Sequence, residues 1–232
     1  MSAEKLLVGK TVIVTGSGGG VGRCIALEAG LQGANVVVND IGSDAETGEK
    51  LAEKVVKEIK AAGGAAVAAI ESVSDWNAAH RIVQCALDTF GRVDGIVNNA
   101  GILRDKIFHK MSEEEFDVSI AVNLKGCFNM ARAAATHFKD QNSGAYVHMT
   151  STSGLIGNFG QANYCAGKMG LVGLSKAIAL DMQRFNVTSN CIAPFALTPM
   201  VAAGVPKETE EDKARWRAIE RLEPRKIAPF TC

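Results

Sequence analysis

Tyr164 and Lys168 are four residues apart in a stretch whose pattern predicts a helix over 162–185, so both lie on one helix face. A free phenol, with a pKa of about 10, is a poor base at neutral pH. A neighbouring ammonium stabilises the phenolate and lowers that value. Such a pair is common on helix surfaces, and its company decides its weight. Thirteen residues before Tyr164, Ser151 in MTSTSG ends a predicted strand. Its hydroxyl can hold a substrate oxygen, or merely bond local backbone. TGSGGGVG, residues 15–22, joins a strand to a helix. Small residues there let the backbone approach a pyrophosphate, and the helix start supplies free N–H groups. A tight strand-to-helix turn also needs glycine, but this one follows the first strand and opens the first helix, which points to dinucleotide binding. Asp40 comes eighteen residues after Gly22, at the end of the second predicted strand. A carboxylate there accepts ribose hydroxyls and repels a 2′-phosphate. Asn39, Ile41, Gly42 and Ser43 include no cation to receive such a phosphate, so NAD is preferred over NADP. The bland alternative is that Asp40 caps a turn.

These residues need elements to position them. Short β-branched runs at 11–16, 35–40, 66–70, 95–98, 146–150 and 187–192 predict six strands. Helical patterns alternate with them at 21–32, 45–62, 75–90 and 162–185. Leu51, Val55, Val56 and Ile59 form the stripe of the second. A further long helix runs on from Ser112, where Ser112 and Glu115 have capping-box spacing. Apolar strands alternating with helices predict an α/β fold, a doubly wound parallel sheet covered on both faces. A (β/α)8 barrel needs eight units, two more than are visible. In an open parallel sheet the carboxyl ends of the strands line the ligand crevice, and the glycine loop, Asp40, Asn98 and Ser151 all lie at such ends.

Composition narrows the function classes. The 232 residues carry 25 basic and 25 acidic side chains, and zero net charge argues against a nucleic-acid binder. No apolar run approaches the roughly 20 residues that span a bilayer, so no membrane partner is expected. MSAEKLLVGK has no apolar core of a signal peptide. The six cysteines form no CxxC pair, and the four histidines show no ligand spacing; reduced thiols, a cytoplasmic location and no metal are expected.

Together the motifs resemble those of the short-chain dehydrogenase/reductase family: Thr15-Gly16-xxx-Gly20-x-Gly22, Asn98-Asn99-Ala100-Gly101, Asn123 in VNLKG, Ser151, and Tyr164-xxx-Lys168, in family order over about residues 8–200. The resemblance implies a Rossmann-like sheet of order 3-2-1-4-5-6 and a single domain over 1–232. It implies that Tyr164 takes the hydroxyl proton as hydride moves to the nicotinamide, while Ser151 holds the substrate oxygen. Lys168 lowers the Tyr164 pKa and binds the nicotinamide ribose, and Asn123 kinks its helix within a proton relay. Gly16, Gly20, Val21, Gly22, Asp40, Asn99, Ala100, Gly101, Tyr164, Lys168, Pro194 and Thr198 would hold the cofactor. VVVNDIG and NNAGILRDKIF look most like the hydroxyacyl dehydrogenase part of peroxisomal multifunctional enzymes and like bacterial 3-oxoacyl reductases. Relatives form dimers or tetramers.

Departures from the family pattern are also visible. Ser72-Val73 stands where relatives carry Asp-Val at the adenine, and Pro194-Phe195 stands where they carry Pro-Gly. The positions that face substrate in the family hold Leu155, Ile156, Phe159, Gln161, Phe195, Leu197 and Met200, a mainly apolar set. The expected substrate is therefore a secondary alcohol or ketone on an apolar molecule: a 3-hydroxyacyl thioester, a steroid or an aryl alcohol. Residues 195–226 form the substrate-loop segment, and its part from Lys207 to Lys226, dense in charge of both signs, is a candidate lid. RLEPRKIAPF resembles the segment before a seventh strand, which is missing here, so the chain reads as C-terminally incomplete. Competing readings are an NADPH-dependent 3-oxoacyl reductase and a redox-inactive NAD-binding sensor.

Overall fold

β1 (Thr11–Thr15) shows how the core divides. Ile13 packs into one cluster, with Val37, Ile96 and Tyr146, while Val12 and Val14 pack into another, with Val36 and Val38. Successive strand side chains point to opposite faces, so a strand apolar at every position must be covered on both. The computed structural model describes residues 5–198, 202 and 208–232. The chain runs β1, α1 (Gly20–Leu31), β2 (Asn35–Asn39), α2 (Leu51–Ala61), β3 (Ala65–Ala69), α3 (Trp76–Phe90), β4 (Gly95–Asn98), α4 (Glu113–Ile120), α5 (Gly126–Asp140), β5 (Gly144–Met149), α6 (Thr152–Ile156), α7 (Ala162–Met182), β6 (Val187–Ile192) and α8 (Glu210–Ile219). The six strands are parallel, in the order β3-β2-β1-β4-β5-β6. Ile25, Ala26 and Ala29 of α1 with Ala52, Val55 and Ile59 of α2 cover one face. Ile82, Val83 and Ala86 of α3 with Met130, Ala134 and Phe138 of α5 cover the other. The predicted doubly wound sheet is thus the observed one.

Local differences have local causes. The helix expected over 45–62 begins only at Leu51. Asp44 Oδ1 accepts the Glu46 and Thr47 N–H groups at 3.1 and 3.0 Å, and Gly48 sits at φ +72°. That turn competes with the helix and ends in a bridge between Ser43 and Lys50. β3 is displaced one residue towards the N-terminus from its expected span. The long helix does start at Ser112, with a full capping box to Glu115, but residues Ala121–Lys125 form a π turn between α4 and α5.

Among the described residues β6 pairs with β5 alone. Leu197 N donates to Leu222 O at 2.7 Å, closing the chain excursion that carries α8. Beyond it, Ile227, Ala228 and Cys232 pack into the cluster of α1, β1 and β2.

Candidate active site

The carboxyl edge of the sheet is polar. Asn39 lies opposite Thr15, and Asn98 opposite His148, in register, and all four are buried. Thr15 Oγ1 donates to Val97 O at 3.2 Å and accepts the Asn99 and Ala100 N–H groups, each at 3.0 Å. Asn99 Nδ2 returns the tie by donating to Thr15 O and Gly16 O at 2.9 and 3.0 Å. The glycine loop and the 98–101 turn are therefore one hydrogen-bonded unit.

Glycine is required there by contact. At Gly16, φ +60°, a Cβ would meet Ala100 Cα at 2.7 Å; at Gly22 it would meet Gly16 O at 2.3 Å. At Gly18 it would run into Leu51 and the Asp40 carboxyl. At Gly19, by contrast, no described residue lies within 4 Å of that position, so among the described residues the loop has an open front beside the start of α1. Thr198 stands near Gly20, its methyl 3.7 Å from where a Cβ would be. An open glycine front beside a helix N-terminus fits a dinucleotide pyrophosphate. Asp40 Oδ2 accepts from Gly18 N at 2.8 Å and Oδ1 from Gly42 N at 2.7 Å. Asp40 thus does cap its turn, and each oxygen keeps a lone pair for a further donor. Ser72 Oγ is paired with Ser74 Oγ at 2.9 Å.

Ser151 is the N-cap of α6, a helix not foreseen in the sequence, and accepts from Ser153 N at 3.1 Å. Its hydroxyl is near enough to the partly buried Tyr164 phenol to lower that group's pKa. Tyr164 enters α7 behind Asn163. Asn163 Nδ2 donates to Arg104 O and Glu115 O at 2.9 and 2.8 Å, and its Oδ1 accepts from Tyr164 N at 2.7 Å. Lys168, only 3% exposed, donates from Nζ to Met149 O at 2.7 Å. Its ammonium stands 5.6 Å from the Tyr164 ring centroid. Asn123, in the π turn, accepts from Ile102 N at 3.2 Å and donates to Ile102 O at 2.9 Å. Gly101 separates Asn123 from Lys168: a Cβ on it would lie 2.8 Å from Asn123 Oδ1 and 3.5 Å from Lys168 Nζ. A Cβ on Gly16 would meet Ala100 and one on Gly101 would approach Lys168 Nζ, so the 98–101 turn links the glycine loop to the Tyr164 group.

Burial raises the Tyr164 pKa and the Ser151 hydroxyl lowers it, while Asp105 and Cys165 raise it further. The Lys168 ammonium donates to Met149 O and stands against the Tyr164 ring, within the distance at which a cation favours a phenolate. Burial lowers the Lys168 pKa. Asn163 and Asp105 were missed in the sequence. An asparagine in the first turn of a helix was the available sign for Asn163; nothing local marks Asp105.

The expected substrate-facing residues Leu155, Ile156, Phe159 and Phe195 are exposed. Gln161 is buried and donates to Asp105 Oδ2 at 2.8 Å. Pro194 follows β6 by two residues, and Met200 lies outside the described residues.

Comparison with known proteins gives a consistent result. Residues 10–209 match the short chain dehydrogenase family. The mouse peroxisomal multifunctional enzyme type 2 is 44% identical over 225 residues, covering 96% of this chain and 29% of that enzyme. A 3-oxoacyl-[acyl-carrier-protein] reductase of Staphylococcus aureus is 40% identical over 195 residues, covering 84% of this chain and 77% of that one. The crystal structure of a short chain dehydrogenase from Mycobacterium avium superimposes with a TM-score of 0.84 at 40% identity, covering 97% of this chain and 76% of that one.

Proposed function

The chain belongs to the short-chain dehydrogenase family, and from that premise we propose that it interconverts a secondary alcohol and a ketone on an apolar substrate, with NAD as cofactor. Membership in the family makes it an oxidoreductase that uses a nicotinamide cofactor. The observation that carries the rest is Ser151 beside the Tyr164 phenol, whose pKa its hydroxyl lowers, with the buried Lys168 ammonium 5.6 Å from the Tyr164 ring centroid, at the edge that also holds the glycine loop.

When bound, the nicotinamide supplies the two-electron acceptor or donor. The glycine loop and the start of α1 would hold the pyrophosphate, Asp40 the adenosine ribose, Asn99 to Gly101 the crevice floor, and Pro194 and Thr198 its far wall. Lys168 would turn towards the nicotinamide ribose. Tyr164 would accept the substrate hydroxyl proton during oxidation and return it during reduction. Ser151, whose hydroxyl lowers the phenol's pKa, would hold the substrate oxygen and the charge that develops there. Asn123, braced in the π turn, would link Lys168 to solvent.

A 3-hydroxyacyl thioester, or the 3-oxoacyl thioester in reverse, is the first substrate class to try. The exposed Leu155, Ile156, Phe159 and Phe195 suit an acyl chain, and the Staphylococcus relative is named for a 3-oxoacyl reaction. The segment 195–226, closed at its base by the Leu197–Leu222 bond, would cover the substrate. Six free cysteines suit a reducing compartment such as the cytoplasm. Among the described residues no helix is long and apolar enough to cross a membrane. A homodimer or homotetramer is the assembly we expect.

Tyr164→Phe tests the assignment. Turnover should vanish while cofactor affinity, followed by nicotinamide fluorescence, stays near the parent value. Loss of cofactor binding together with turnover would remove Tyr164 from the proton-transfer role.

A further inference from the structure

The interior beneath Lys168 is polar where a parallel sheet is ordinarily apolar. Asn98, His148 and Cys191 lie side by side on β4, β5 and β6. Asn98 Nδ2 donates to His148 Nδ1 at 3.2 Å and to the Cys127 carbonyl at 3.4 Å. Cys127 opens α5 just after the π turn and is 3% exposed. Its thiol donates to the Asn123 carbonyl, Sγ to O 3.4 Å. It also lies within the electrostatic reach of the Lys168 ammonium, as do Cys191 and His148.

We propose that Cys127 is a positioning residue: its thiol pins the π turn at Asn123 against Lys168, and so keeps the asparagine and the ammonium at the spacing that proton handling by Tyr164 requires. A π turn is a rare interruption of a helix, and this one has side-chain support at Asn123. Asn123 receives it from Ile102, from Ser119 Oγ at 3.1 Å, and from the Cys127 thiol. There is no slack, because Gly101 already fills the gap between Asn123 Oδ1 and Lys168 Nζ. A thiol suits the place. Burial pushes it up to about 11, so near neutrality it stays a neutral donor and puts no charge beside the ammonium.

The part of this proposal that concerns turnover rests on the function proposed above, so the test has a readout that needs no substrate. The chain has two tyrosines. Tyr146 is buried, donates to Ala131 O, and is pushed far up by burial. Phenolate absorbance in the alkaline range therefore reads Tyr164. In Cys127→Ala the Tyr164 midpoint should rise by about half a pH unit or more as the ammonium loses its seat. With cofactor and substrate, kcat should fall about tenfold with the KM for NAD unchanged. Cys127→Ser, which keeps a donor, should restore both. If the alanine variant does not fold, Cys127→Thr against Cys127→Val makes the same comparison, since only threonine carries a donor. A folded alanine or valine variant that titrates as the parent does, or a serine or threonine variant that fails to restore the midpoint, overturns the proposal. An unmoved titration refutes the role of Cys127; absence of turnover in the parent refutes the oxidoreductase substrate reading instead.

Discussion

Lys168 faces the ring of Tyr164 and donates to Met149 O; the sequence spacing could place the lysine on the right helix face but could not choose that hydrogen-bond partner. A four-residue interval fixes an azimuth, whereas the hydrogen-bond partner depends on Met149, which arrives from β5. His148 has the same character: nothing beside it in sequence marks it, yet it is fully buried and bonded to Asn98. Burial lowers its pKa from 6.5 to about 4. The unfolded chain takes up this proton near 6.5 and the folded chain only near 4, so stability is complete above 6.5 and falls as pH drops through that window. The fall should total about 3 kcal/mol by the bottom of the window. Urea unfolding from neutral pH down to about 5 should show it, and in His148→Gln the slope should flatten; an unchanged slope would mean that another group carries it. Asp40 bears on cofactor choice in the same residue-by-residue way. NADH should turn over far faster than NADPH, and Asp40→Ser should narrow the gap. A parent preference for NADPH would reverse the assignment.

The elements follow the sequence where hydrophobic period and capping agree. The Ser112 capping box was legible because both of its partners lie within one turn. The start of α2 was not, because the Asp44 turn and Gly48 compete with an apparently helical pattern. The π turn was legible only as a kink implied by the family resemblance at Asn123, since no single-residue preference encodes it. α6 is five residues long and depends on its Ser151 cap, which a strand-end serine does not announce. The glycine loop allows a sharper test. Gly22→Ala would drive a Cβ to 2.3 Å from Gly16 O and 2.4 Å from Asn99 Nδ2. It should cost on the order of 2 kcal/mol of stability as well as cofactor binding. Gly19→Ala meets no described residue within 4 Å and sits at φ −160°, so thermal unfolding should hardly move while dinucleotide affinity drops about tenfold or more. If Gly19→Ala binds cofactor as tightly as the parent, the pyrophosphate does not lie against that loop.

At the scale of the whole molecule, six parallel strands collect the glycine loop, Asp40, Asn98 and Ser151 at one edge, while two apolar clusters hold the sheet from both faces. That gathering was readable in advance because the order of apolar strands and helices leaves little choice of topology. The path of the segment after Pro194 was not, because its course depends on long-range ties such as Leu197 to Leu222, which join residues far apart in sequence. The central claim is alcohol–ketone redox chemistry in the crevice between these parts. Its most direct test is the absorbance of reduced nicotinamide when the protein is mixed with NAD and a panel of secondary alcohols that includes 3-hydroxyacyl thioesters, steroids and aryl alcohols. The account predicts steady formation of NADH with an apolar member of the panel, 3-hydroxyacyl thioester first, and none with Tyr164→Phe. Tight NAD binding with no NADH formed from any member would contradict it and favour a redox-inactive sensor.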